Sequence, residues 1–131
     1  MILVLDFTPP LGAGEIMNIE ELREYCLLKP GVTEEFLFDN DTLVFKVMGK
    51  IFMLTSLTGW EAGDASMNVK CDPQEAIRLR EKHPDQVFPG YHMNKKHWNT
   101  VHINAGLNDK KIFHFIDESY SLVVGKLPKS P

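Results

Sequence analysis

Cysteine is scarce in this chain. Cys26 and Cys71 are the only two, and neither sits in a CxxC pair. A disulfide framework is therefore not expected, and a reducing, cytoplasmic setting is. Long apolar runs are also missing: nothing approaches the 18 or so residues that a membrane-crossing helix needs. Met1 to Leu5 is apolar, but no basic residue precedes it and Asp6 follows at once, so it makes a poor signal peptide. The sequence has no Walker loop, no Rossmann glycine fingerprint, no HExxH and no GxSxG. No spacing pairs a base with a nucleophile, so no enzymatic activity is expected.

A general basic excess is absent too. The formal net charge is −4 and the pI is near 5.7, whereas a dedicated non-specific nucleic-acid binder is usually basic overall. The charge is unevenly placed, however. From Glu15 to Asp41 eight acids face two bases, while from Thr42 onward nine acids face twelve bases. No acid at all occurs between Asp85 and Asp109. In that gap lies the most distinctive stretch of the chain, Pro89-Gly90-Tyr91-His92-Met93-Asn94-Lys95-Lys96-His97-Trp98-Asn99-Thr100-Val101.

With 131 residues and 44% hydrophobic content, a single domain with one core is the natural expectation. Residues 1–16, with Pro9-Pro10 and Gly12-Ala13-Gly14, read as an irregular leader to a domain spanning 17–131. Asn18 and Glu21 form a capping box, with Met17 and Leu22 as its staple, and open a helix that Lys29-Pro30-Gly31 ends. Glu35 to Phe38, Thr42 to Val47, Ile51 to Thr55 and Met67 to Cys71 read as strands, the middle pair joined by a hairpin at Met48-Gly49-Lys50. Thr58 to Asp64 reads as a loop.

Asp72-Pro73 starts a helix that runs to Lys82-His83-Pro84. Trp98 to Asn104 alternates like a strand. Asn108 caps a last helix, in which Ile112, Phe115, Ile116, Ser119, Val123 and Leu127 recur at helical spacing. Helix, strand meander, helix, strand, helix implies an α+β sandwich: an antiparallel sheet with helices packed on one face.

Tyr91 to Trp98 combines lysines with flat aromatics, the parts of a nucleic-acid surface. Lys50 in the hairpin is another exposed cation, and Lys46 and Lys70 are expected on neighbouring strands. The bland reading of the same residues is a solvated turn with a core tryptophan. His92, His97 and His102 recur every five residues, which places strand side chains on opposite faces, so no metal site is expected from them. The acids Glu20, Glu21, Glu24, Glu34 and Glu35 read as a solvated face more readily than as a hard-cation site. Cys26 and Cys71 read as buried small hydrophobes.

These residues resemble the MmcQ/YjbR family of small bacterial proteins. The likeness runs from about Met17 to Lys129. It is carried by Lys29-Pro30-Gly31-Val32-Thr33-Glu34, Phe45-Lys46-Val47, Gly49-Lys50-Ile51-Phe52, Lys70-Cys71-Asp72-Pro73, the Pro89 to Val101 stretch, Ile116-Asp117, Ser119-Tyr120 and Leu122-Val123. It implies a two-layer sandwich like that of CyaY, the bacterial frataxin homologue. It also implies a DNA-binding role through a double wing. A non-enzymatic DNA-binding or regulatory module, monomeric and without cofactor, is the expectation. By position the resemblance points to Lys50, Lys70, Tyr91, His92, Lys95, Lys96, His97 and Trp98 as the nucleic-acid-binding residues. The alternative is a small-ligand or protein-interaction module on the same scaffold, or, further off, metal binding by the acidic front.

Overall fold

The computed structural model of the protein describes residues 17–90 and 93–126. The expected leader, Tyr91, His92 and Leu127 lie outside the described residues. Helix α1 (Ile19–Leu27) starts at the capping box: the Asn18 side chain accepts the Glu21 N–H and the Glu21 carboxylate accepts the Asn18 N–H, both at 2.9 Å. Strands β1 (Val32–Phe36), β2 (Thr42–Val47) and β3 (Lys50–Ser56) follow. The β2–β3 turn has positive φ at both Met48 and Gly49, the mirror-image turn that matches strand twist. Then come α2 (Leu57–Glu61), β4 (Ser66–Lys70), α3 (Pro73–Lys82), β5 (Val87–Pro89), β6 (Trp98–His102) and α4 (Asp109–Gly125). Asp72 and Asn108 cap α3 and α4.

The six strands form one sheet, ordered β1-β2-β3-β4-β6-β5, and every neighbouring pair is antiparallel. One face carries Phe45, Met53, Met67, Val69 and Val101 into the main core, where they meet Leu22 and Cys26 of α1 and Ile112, Phe115 and Ile116 of α4. Burying each such side chain contributes about 1.5–3 kcal/mol. Among the described residues, no helix packs on the other face.

Two contacts fix α4 to this frame. The Ser119 hydroxyl, fully buried, accepts the Lys70 N–H at 2.8 Å and donates to the Phe52 carbonyl at 2.6 Å. The β3–β4 ladder ends at Met53 and Val69, so Ser119 bridges the next level, where the two strands no longer bond each other. Further along, Lys29 reaches Asp117 at 2.5 Å and lies over the rings of Tyr25 and Tyr120. Tyr25 donates to the same carboxylate, and burial first, then Asp117, pushes its phenol up to about 12. Tyr120 donates to the Pro30 carbonyl at 2.6 Å. The Lys29-Pro30-Gly31 and Asp117 to Tyr120 segments thus grip each other.

The structure departs from the sequence expectations in five places. The first strand is Val32–Phe36 rather than Glu35 to Phe38, because Val32 pairs with Val47 and the Asp39 carboxylate then turns the chain by accepting the Asp41 and Thr42 N–H groups. Part of the expected Thr58 to Asp64 loop is helix α2, held by Asp41, which accepts from the Thr58 N–H and hydroxyl. Val87–Pro89 is an edge strand. Lys46 and Lys70 are not on neighbouring strands: β3 separates β2 from β4. The last strand also stops at His102, since Asn104 has φ of 63° and its amide is bonded to both backbone groups of Met17.

Ser119→Ala should lower stability by about 1–3 kcal/mol, because two buried backbone groups lose their partner; a urea titration should show a lower midpoint at unchanged slope. His83, which ends α3, has a buried Nε2 with no hydrogen-bond partner among the described residues. Burial lowers its pKa, and Lys111, Lys82 and Arg78 add to the effect. A lowered folded pKa means that the unfolded chain takes up the proton first. Stability should therefore fall as pH drops from about 6.5 towards the folded value. The fall in melting temperature between pH 7.5 and 5.5 should be smaller in His83→Gln.

Candidate nucleic-acid interface

The Pro89 to Trp98 segment is wired from several sides. A Cβ on Gly90 would lie 2.7 Å from the Cβ of Trp98 and 2.9 Å from its carbonyl oxygen, so only glycine lets the backbone approach this closely. The Gly90 N–H donates to that same carbonyl at 2.8 Å. The Asn94 side chain accepts the Lys96 N–H, and its carbonyl accepts from His97 and Trp98. These bonds build an Asx turn that aims Lys95 and Lys96 outward. Arg80 reaches across from α3. Its Nε donates to Asn99 at 2.7 Å, and its terminal nitrogen donates to the carbonyls of Lys95 and Trp98.

Trp98 is 8% exposed. With Val44 and Leu54 it forms a small second core on the helix-free face, against which Ile51 and Met93 pack. Of the two roles open to it, contacting bases or packing the support, its burial gives it the second. The Lys70 ammonium lies 5.7 Å from the Trp98 ring centroid, a cation–π geometry that holds this cation on the face. His97 is half-buried and its carbonyl accepts the Cys71 N–H. Lys50, Lys95 and Lys96 are exposed, with Lys95 Nζ 3.3 Å from the Gly90 carbonyl. His102 sits at the far end of β6 from His97.

The register brings the cations together. Lys70 pairs with Trp98, and Lys50 pairs with Val47 at the hairpin. Lys50 lies past the level of Lys70, one strand over and beyond the irregularity at Phe45/Lys46, and on the opposite face: its partner Val47 belongs to the main core, whereas Lys70 shares the helix-free face with Trp98. The turn bearing Lys95 and Lys96 enters β6 at the same end. Lys46 is also near, but it is paired with Glu35 at 2.8 Å. Of the acids on the strand connections, Asp39, Asp41, Glu61 and Asp64 lie at the opposite end, while Asp72, two residues after Lys70, lies at the lysine end with Glu75 in the first turn of α3. Hydrogen bonds, from Thr42 to Asp39 and from Ser56 and Thr58 to Asp41, lower the pKa of both carboxyls. The acidic front is on the helix layer, where Arg23 engages Glu20 and Glu34. Among the described residues no group of three or more His, Cys, Asp or Glu is placed to hold a metal ion. Both cysteines are free, and burial pushes the Cys71 thiol up to about 11.

The sequence model of YjbR matches residues 27–122. The chain belongs to the YjbR family. It is 34% identical over 113 residues to the Escherichia coli (strain K12) protein YjbR, described as uncharacterised, covering 86% of this chain and 92% of that one. It is 41% identical over 110 residues to YbdF of Escherichia coli O157:H7, also described as uncharacterised, covering 84% and 87%. A crystal structure of a Deinococcus radiodurans protein with a DUF419 domain superposes with a TM-score of 0.78 at 35% identity, covering 87% of this chain and 84% of that one. A crystal structure from Pseudomonas syringae gives 0.67 at 26% identity, covering 81% and 98%.

Within this YjbR chain, the residue the sequence reading passed over is Arg80. It was one position among several continuing α3. The signal was faint: Ile77 is 53% exposed, so the face of α3 that meets the sheet runs through Ala76, Leu79 and Arg80 instead. Phe88, Asn68 and Met93 were likewise not singled out, since only the sheet brings them together. Gly90→Ala should cost about 1–3 kcal/mol through forced displacement of Trp98. Its thermal melt should fall accordingly, with a change in tryptophan fluorescence.

Proposed function

We propose that this protein is a non-enzymatic nucleic-acid-binding module that grips DNA phosphates with Lys50, Lys70, Lys95 and Lys96. The β2–β3 hairpin and the turn before β6 are its two wings. The observation that carries this reading is the gathering of those lysines at one end of the sheet, with Asp39, Asp41, Glu61 and Asp64 at the other and Asp72 as the acid of the β4–α3 connection on the lysine side. Such segregation lets a protein of negative total charge present a local positive field, because exposed charges beyond about 8–10 Å are largely screened at physiological salt. The wired backbone under the second wing fixes its two ammonium groups with little further ordering on contact. The alternative, a small-ligand or protein-interaction module, draws on the groove of the helix-free face.

Fluorescence anisotropy with a labelled DNA duplex, repeated across a salt series, tests the reading. Binding should weaken as salt rises. Lys95→Ala with Lys96→Ala should flatten the slope of log affinity against log salt by about one unit per lost contact. Lys110→Ala, on α4, should leave it unchanged. Absence of binding at low salt, or indifference to both wing lysines, overturns the proposal.

A further inference from the structure

The helix-free face also holds a groove of about 810 Å³, within the range of clefts that enclose small ligands. Phe38, Phe88, Pro89 and Met93 contribute apolar and aromatic surface to it, with Phe38 65% and Phe88 37% exposed. Its floor follows the register. Leu54, Asn68, Thr100 and Phe88 sit level with one another on β3, β4, β6 and β5, and the next level down carries Ser66 opposite His102. Among the described residues, no Asp, Glu, Lys or Arg lines it. A groove with this lining suits a neutral planar group and offers nothing to a phosphate or a free cation.

Three of its polar groups, on Asn68, Ser66 and His102, have unspent capacity among the described residues. The Thr100 hydroxyl donates to Asn68 Oδ1 at 2.5 Å, which fixes the amide and leaves its NH₂ as a donor. The Ser66 hydroxyl makes no hydrogen bond among the described residues, its carbonyl being the group that Thr55 uses. His102 Nδ1 is 3.6 Å from Asp64, too far for a hydrogen bond, and its ring meets Phe88 edge-on. An amide donor, a hydroxyl and an imidazole beside exposed aromatic rings are what the edge and face of a heteroaromatic base require.

The cationic level of the same face lies two residues away along two strands, from Asn68 to Lys70 and from Thr100 to Trp98. That is about 7 Å. We infer that the groove receives an unpaired nucleobase of a single-stranded segment whose phosphates lie on Lys70 and the Lys95–Lys96 turn. A positive track beside a stacking platform is how single strands are bound without sequence readout, and a base inside a duplex cannot reach such a groove. This inference rests on the nucleic-acid reading above and narrows it to single strands.

The test compares three labelled probes by anisotropy at low salt: a twelve-residue oligodeoxythymidine, an abasic oligomer of the same length, and a twelve-base-pair duplex. The oligodeoxythymidine should bind roughly ten-fold tighter than either of the others. Phe38→Ala, at an exposed position, and Asn68→Leu should each erode that preference and leave the salt slope unaltered, with thermal melts confirming that both variants are folded. Equal binding of the base-containing and abasic strands, or of strand and duplex, overturns the groove assignment while the lysine reading stands. No binding of any probe overturns both.

Discussion

A six-stranded sheet with helices on only one side must make its other side compatible with water. Antiparallel sheets often do so by alternating apolar and polar residues. Here the central strands are apolar on both faces: β2 sends Phe45 into the main core but Val44 away from it, and β3 does the same with Met53 and Leu54. The helix-free face therefore needs a cover. Trp98, Met93 and Ile51 supply it, and the turn before β6 is folded down to place them. The requirement to hide Val44 and Leu54 is what positions the lysines of that turn.

Folding and the candidate site are consequently one problem. Gly90 lets the backbone pass against Trp98, Arg80 holds the turn from the helix layer, and Ser119 joins the strands that carry Phe52 and Lys70. None of these residues is a candidate ligand contact, yet each sets where an exposed cation stands. Exposed lysines separately contribute little to stability. The cover is also incomplete: it leaves the groove between the β1–β2 connection and β5, where Asn68 and Ser66 of β4 and His102 of β6 keep hydrogen-bonding capacity.

Much of the fold was legible because its signals are local. The capping box at Asn18 and Glu21, the Asp72-Pro73 start and the Met48-Gly49 turn each depend on groups within a few residues of one another. Helix α2 was not legible because its first turn is held by Asp41, 17 residues earlier. Strand β5 was not, because three residues ending in proline carry no periodicity, and only pairing with β6 makes them a strand. Of the candidate site, the lysines could be named in advance but their meeting could not. Trp98 could be read equally as a base-stacking residue or as packing.

By itself the sequence determined the starts of α1, α3 and α4, the hairpin turn, the main-core faces and the family, since these depend on side chains that find their partners nearby or on short motifs readable along the chain. Tertiary structure alone decided that Lys46 and Lys70 are kept apart by β3, that Trp98 is buried against Val44 and Leu54, and that Asn68, Thr100 and Phe88 share one groove. The reason is register. A strand's partners are chosen by the packing of the whole sheet, and a shift of one residue would turn every one of these side chains to the other face.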